Sequence, residues 1–555
     1  LIGLLGAALA ACGLSAMAAP AAGTPAASTA TATAMATAPA PAPALTDSVL
    51  AALTPPLPTL PLPQALRDGL QAAGIPASSV SLLVLPLGGG GGNRVMPAAV
   101  NGAEAPLISH LADQSRPVAS VMKLFTTGAA LLARGPASTW HTDTGLQGQL
   151  DAQGHLHGNL LLRGSGDPAL VVEQVTQMMV RWRAAGLRHI DGDLVLDRSG
   201  FELPTHDPAA FDGESLKPYN AGPDALMLNQ QAVTLRLAPS AVQPGQWQLS
   251  LEPELAGVTV VNQLKVGTPR GGNGSKLGAD CSGDWREALQ LGVAPRAGAA
   301  PEHGLRPWQL QVSGSLPLSC GNKDWPLLWQ GDGAGDHAAR VLLASWQALG
   351  GTLSGQVRQA KWPAELPVWQ SWTSPPLTQV VRDINKFSNN VMARQLLLSL
   401  PVDPAASALV GVNLSQARDA LQGQVAQLTR DGQGRSPCAA PAWRVDNGSG
   451  LSRDERSSAA CLGRWVQAMW ASPVMPEWLA SLPLVGVDGT TRRWTGPAAG
   501  KAHIKTGSLD GVATMAGVVD GASGQRWAVV ALGQHPQGSA LRAWYAQVLG
   551  WLAQQ

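Results

Sequence analysis

Arg116-Pro-Val-Ala-Ser120-Val-Met-Lys123-Leu-Phe-Thr-Thr-Gly-Ala-Ala-Leu-Leu132 sets a serine and a lysine three positions apart at the start of a helical pattern. Positions i and i+3 share one helix face, so the Lys123 amine is expected beside the Ser120 hydroxyl. A serine hydroxyl is a weak nucleophile until a neighbour takes its proton. A neutral lysine can do so, but its ordinary pKa is about 10.4. Burial and a second cation would favour the neutral form. Two further elements follow in order, Ser388-Asn389-Asn390 and Lys505-Thr506-Gly507. Lys505 is the expected second cation. Backbone N–H groups at the start of the Ser120 helix point outward, as an oxyanion requires. Taken alone, Ser388 reads as a helix cap and Lys505-Thr506-Gly507 as a strand-edge turn. The order of the three elements carries the signal.

The stretch between Ser120 and Ser388 is far longer than one helical subdomain needs, so an insertion is expected there, over 140–335. It reads as β-rich, with strands at Asn159–Arg163, Asp193–Leu196, Val233–Leu237, Trp247–Leu251, Val258–Val261 and Trp308–Val312 between Gly, Pro and Asp turns. Segments 64–139 and 336–555 are expected to form one domain from both chain ends. Val80–Leu87 reads as its buried strand, Pro376–Leu398 and Leu414–Leu428 as helical. Val512–Val519 and Arg526–Leu532 read as a hairpin behind Lys505, and Ser539–Leu552 as an amphipathic closing helix. Gly88–Gly92 is a turn or bulge; no Gly-Lys-Ser/Thr follows to make it a phosphate loop.

Of 555 residues only 14% are charged and the net charge is +1, which gives no footprint for nucleic acid or for a membrane held by charge. The 45% hydrophobic content suffices for a core. The 19 tryptophans are scattered, as core packing would have them, rather than clustered as a carbohydrate platform. Residues 1–18 read as an export signal, cleaved either after Ala16-Met17-Ala18 or at Cys12, where a lipobox-like Leu9-Ala10-Ala11-Cys12 would leave a lipidated membrane anchor. The Ala/Pro/Thr-rich segment 19–63 reads as a tether. The expected location is exported, periplasmic.

Apart from Cys12 the cysteines are Cys281, Cys320, Cys438 and Cys461, an even set that suits disulfides outside the cytoplasm. Three connectivities are open. The local one, Cys281–Cys320 with Cys438–Cys461, closes the shortest loops and is the expectation. Neither C-x-x-C nor H-E-x-x-H occurs, and His155 and His157 read as solvent-exposed, so no metal and no cofactor is expected.

The three elements match the S-x-x-K, S-x-N and K-T-G motifs of penicillin-recognising serine enzymes. LLLRGSGDPAL (Leu160–Leu170), IDGDLVLDRSGF (Ile190–Phe201), SNNVMARQLL (Ser388–Leu397), DNGSGLSRDER (Asp446–Arg456), LPLVGVDGTTRRW (Leu482–Trp494) and KTGSLDGVATMAGVV (Lys505–Val519) extend the match. From about Leu66 to its C-terminus the chain resembles the class C low-molecular-mass penicillin-binding proteins of the penicillin-binding protein 4 type.

That resemblance implies an α/β (α+β) transpeptidase/β-lactamase-like domain, an antiparallel sheet flanked by helices, with two nested β-rich insert domains. It implies carboxypeptidase and endopeptidase action on peptidoglycan peptides, and acylation by β-lactams. Ser120 would be the nucleophile and Lys123 its base. Ser388 and Asn390 would shuttle a proton and bind the substrate amide. Lys505 and Thr506 would hold the terminal carboxylate, with Gly507 letting the strand approach. The backbone N–H groups of Ser120 and Ser508 would form the oxyanion hole.

Asn389 departs from the family's frequent Asp, and Glu455 from its common Asn. Asp167 reads as a turn residue, with substrate contact as the alternative. Asp446 and Asp488 read as structural. Two rival functions are a serine β-lactamase, for which no deacylating-glutamate motif is found, and a non-catalytic wall-binding scaffold, against which the intact residue set argues.

Overall fold

The computed structural model describes residues 57–88, 105–267, 281, 283–403, 411–431 and 433–555. The expected signal, Cys12, most of the tether and Gly89 to Gly92 lie outside these. A five-stranded antiparallel sheet organises both chain ends. Its order is Ala502–Leu509, Val512–Asp520, Arg526–Gln534, Val80–Leu87, Ile108–His110. The N-terminal strand is all but continuously apolar because both sheet faces are covered. Alternate residues point to opposite faces. Leu83, Leu85, Ala516, Val518 and Val530 face a core shared with Phe125, Leu131, Trp465 and Val466. Leu82, Val84, Met515, Val529 and Ala531 face Leu66, Leu70, Trp544 and Val548, from helices Gln64–Ala72 and Leu541–Leu552. Strand Ala502–Leu509 is the sheet's edge, and the turn that holds Ser120 packs against it.

Residues 141–373 build a second core, which takes in 336–373, expected to belong with the chain ends, because their helix and strands pack and pair there. Its outer sheet combines His141–Leu150, His155–Gly164, His189–Ile190 and Leu194–Asp197 with Thr352–Leu353, Val357–Gln359 and Gln370–Thr373 from the far end of the segment. Between these halves of the chain lie two three-stranded sheets, Lys323–Leu328 with Ala232–Pro239 and Trp247–Glu252, and Val258–Val266 with Trp308–Leu316 and Leu289–Pro295. Leu160, Trp182, Leu235, Val312, Leu342 and Trp346 belong to one continuous cluster joining these sheets to helices Val172–Ala184 and Asp336–Ala348. The chain enters and leaves at one neck. Trp140 N–H donates to Ser374 Oγ at 2.9 Å, and Ser374 N–H donates to the Trp140 carbonyl at 2.9 Å. Both expected disulfides are formed, Cys281–Cys320 and Cys438–Cys461.

The strands expected in this segment are present, most of them longer than anticipated. His141–Leu150, Leu289–Pro295 and Lys323–Leu328 were not anticipated, and neither were the two helices. The stretch Pro376–Leu398 is not one helix. Ser388 takes the left-handed conformation, φ 57° and ψ 39°, and splits it into Leu377–Phe387 and Asn390–Leu397.

Candidate active site

Three elements meet at Ser120. The serine lies in a tight 3₁₀ turn, Ala119–Met122, that leads into helix Lys123–Arg134. Ala119 before it is left-handed, φ 47°, so the chain bends sharply as it delivers the serine. The spacing behaves as expected: Lys123 Nζ donates to Ser120 Oγ at 3.0 Å. The same nitrogen donates to Asn390 Oδ1 at 2.7 Å and to the Ser449 carbonyl. Lys123 is fully buried. Burial first, then the charges of Lys505 and Arg394, drive its pKa well below the ordinary lysine value, with Glu455 opposing.

The break at Ser388 serves geometry. A continuous helix would turn successive side chains 100° apart; the left-handed residue followed by a new N-cap re-aims them. Ser388 Oγ accepts from Lys505 Nζ at 2.9 Å, while Asn390 Oδ1 meets Lys123. Asn389 caps the second helix, its Oδ1 accepting from Met392 N–H at 3.0 Å. Lys505 is also fully buried, donates to the Thr506 carbonyl at 2.7 Å, and is lowered by burial to about 7. Thr506 Oγ1 lies 2.8 Å from Thr490 Oγ1.

Gly507 shows why the edge strand needs glycine here. A Cβ on it would lie 2.7 Å from the Ser120 nitrogen and 2.3 Å from Thr514 Oγ1. Thr514 Oγ1 in turn donates to the Val118 carbonyl at 2.8 Å, tying the next strand to the same turn. Ser508 follows on the exposed side, its hydroxyl accepting from Arg542 at 3.2 Å. The motif residues Ser120, Lys123, Ser388, Asn390, Lys505, Thr506 and Gly507 thus converge from a helix start, a helix break and a strand edge.

Sequence reasoning missed the floor of the site. Glu455 is fully buried, and burial raises its pKa. Its Oε1 accepts N–H bonds from Asp446 at 3.1 Å, Asn447 at 2.9 Å and Gly448 at 2.6 Å; its Oε2 accepts from Gly450 at 2.6 Å. The carboxylate therefore winds the loop around itself and presents the Ser449 carbonyl to Lys123. Gly450, φ 81°, passes so close that a Cβ would lie 1.9 Å from the Ala119 carbonyl oxygen. Glu455 thus has a structural role in this chain. Its signal was an acidic residue among glycines, too common a pattern to interpret.

Other singled-out residues fall elsewhere. Asp446 pairs with Arg418, and Asp488 with Lys386 at 2.6 Å, as structural residues would. Asp167 is buried, accepts from Ala169 N–H at 2.8 Å in a turn, and is raised by burial to about 7. His157 is exposed between Asp191, at 2.6 Å, and Asp151, at 3.1 Å. Among the described residues no group of three or more His, Cys, Asp or Glu is arranged to hold a metal.

Comparison with known proteins places the chain in a family. A D-alanyl-D-alanine carboxypeptidase of Actinomadura sp. is 26% identical over 73% of this chain and 71% of its own. The D-alanyl-D-alanine carboxypeptidase DacB of Haemophilus influenzae is 25% identical over 74% and 79%. The crystal structure of penicillin binding protein 4 from Haemophilus influenzae superposes with a TM-score of 0.64 at 20% identity, covering 88% of this chain and 99% of that one. The fold is therefore the transpeptidase-like one that the resemblance implied. The profile of the D-Ala-D-Ala carboxypeptidase 3 (S13) family matches residues 95–555, and the chain belongs to that family.

Proposed function

We propose that the protein is a serine D-Ala-D-Ala carboxypeptidase and D,D-endopeptidase acting on peptidoglycan peptides through an acyl-enzyme on Ser120. The observation that carries this reading is the buried Lys123 amine, held between Ser120 Oγ and Asn390 Oδ1. In the acylation step Lys123 takes the Ser120 proton as Oγ attacks the carbonyl of the penultimate D-Ala. The backbone N–H groups of Ser120 and Ser508 receive the developing oxyanion. The peptide C–N bond then breaks, and the leaving amine takes a proton through Ser388. Lys505 and Thr506 hold the terminal carboxylate beside the strand edge. Water hydrolyses the ester with the same base, and Ser120 recovers its proton.

The Haemophilus protein has also been solved with a β-lactam, which supports acylation by penicillins here. The two disulfides favour an exported, periplasmic location. Among the described residues no helix is long and apolar enough to cross a membrane. The segment between Trp140 and Ser374 acts, in this reading, as an insertion that restricts access.

Fluorescent penicillin tests the proposal. A lasting adduct on Ser120, lost in Ser120→Ala with the fold retained, is expected. Rapid turnover of the drug would instead mark a β-lactamase, and no adduct a scaffold.

A further inference from the structure

Part of the 141–373 segment is in direct contact with the second motif. Arg394 Nη1 donates to the Ala221 carbonyl at 2.7 Å, and Gln395 Oε1 accepts from Asp224 N–H at 3.1 Å. Ala221, Met227 and Leu328 pack with Val391 of the same helix, Asn390–Leu397. Just beyond, Asn229, Gln230 and Gln231 have φ of 45°, 53° and 57°. Three successive side-chain-bearing residues in the left-handed region are costly and persist only where their surroundings hold them.

The flanking two are tied to the segment itself. Asn229 Nδ2 donates to the Ala232 carbonyl at 2.8 Å, and Gln231 Nε2 to the Gly222 carbonyl at 3.2 Å. Gln230, between them, reaches across instead. Its Oε1 accepts from Asn389 Nδ2 at 2.8 Å. The Asn389 amide has no freedom to turn over, because its Oδ1 caps the helix at Met392. On either side of Asn389, Ser388 bonds Lys505 and Asn390 bonds Lys123.

We propose that Gln230 is a positioning residue for acyl transfer: through Asn389 it locks the turn that sets Ser388 and Asn390 against the two lysines. The proposal rests on the reading of the site given above. It also gives the asparagine at 389 two tasks, since its amide caps the helix and donates to Gln230 at once.

The test is the rate at which saturating fluorescent penicillin acylates Ser120 in Gln230→Ala, Gln230→Glu, Asn389→Asp and the double variant Gln230→Glu/Asn389→Asp. Each is first shown to keep the parental circular dichroism and Tm. Gln230→Ala should slow acylation about 3- to 10-fold while the half-saturating drug concentration stays within about twofold, the signature of lost positioning rather than lost binding. Gln230→Glu keeps the acceptor and should retain more of the rate than Gln230→Ala. In Asn389→Asp the Gln230 amide can turn and donate. The double variant sets two carboxylates face to face, so its loss should exceed the product of the two single losses by about tenfold. A Gln230→Ala rate equal to the parent's, or a double variant that is simply multiplicative, overturns the assignment of Gln230 alone. Parent protein that takes no label on Ser120 overturns the reading of the site, and this assignment with it.

Discussion

A lysine works as a base only if it is neutral, and at Lys123 the surroundings decide this. The amine is buried and close enough to Lys505 for the two charges to repel. We predict that Lys123→Ala slows penicillin acylation by about 10²–10⁴-fold, the usual scale for loss of a general base, with a smaller effect on affinity. Stopped-flow acylation kinetics separate the two; a parental rate would show that the base is another residue. The pH dependence follows from the signs. Lys123 must be unprotonated to act, so activity falls on the acid side as it takes up a proton. Lys505 must be protonated to hold a carboxylate, and burial brings it to about 7. Hence kcat/KM for a D-Ala-D-Ala peptide should fall as pH rises through about 7, giving a bell. A profile flat from pH 7 to about 9 would show that no proton needed for recognition leaves Lys505 over that range.

Elements place these residues, and here the sequence was legible to different depths. The i,i+3 pair, the hairpin after Lys505 and the helix Leu414–Leu428 follow from local periodicity, and the structure has them. Strand His141–Leu150 carries too many polar residues and glycines for its pattern to show. The break at Ser388 was hidden because an apolar helical period continues on both sides of it. Loop Asp446–Glu455 was illegible for another reason: its order comes from one carboxylate accepting backbone N–H groups, which any sequence supplies. Glu455→Gln should therefore be far from neutral. It sets an NH₂ group against donors that now find an acceptor, at a cost of about 1–3 kcal/mol for each buried group left unsatisfied. Urea unfolding measures this, and acylation should slow as the Ser449 carbonyl shifts from Lys123. Gly507→Ala makes the parallel case for the edge strand. Its methyl would sit 2.7 Å from the Ser120 nitrogen, so strand and turn must separate. We expect acylation to fall by at least about 10²-fold, the scale of losing one oxyanion donor, and Tm to fall with it.

Over the whole molecule, the motif residues and the 141–373 segment belong to different parts of the chain. Every motif residue lies outside 141–373, yet this segment touches the site's surroundings, at the helix Asn390–Leu397 and at two further contacts. One is Gln230 on Asn389. The other is Phe211, whose ring lies 5.5 Å from the guanidinium of Arg453, while Arg453 also donates to the Asp510 carbonyl at 3.0 Å, at the turn beyond Lys505-Thr506-Gly507. A body resting on both sides of the motifs can admit a single peptide tail and hinder the bulk of a cross-linked strand. Its neck makes the idea testable, because Trp140 and Ser374 are hydrogen-bonded neighbours that a short Gly-Ser link can join. Removal bares the helix Asn390–Leu397 around Val391, so a folded circular dichroism spectrum comes first. In the folded deletion, penicillin should still acylate Ser120, slowed by about the factor that Gln230→Ala removes. With defined monomeric and cross-linked muropeptides, mass analysis of the products should show the preference moving toward the cross-linked ones. Were the folded deletion to keep the parental product ratio, the segment would have no part in selecting substrates, and its contacts would serve only to brace the site's surroundings.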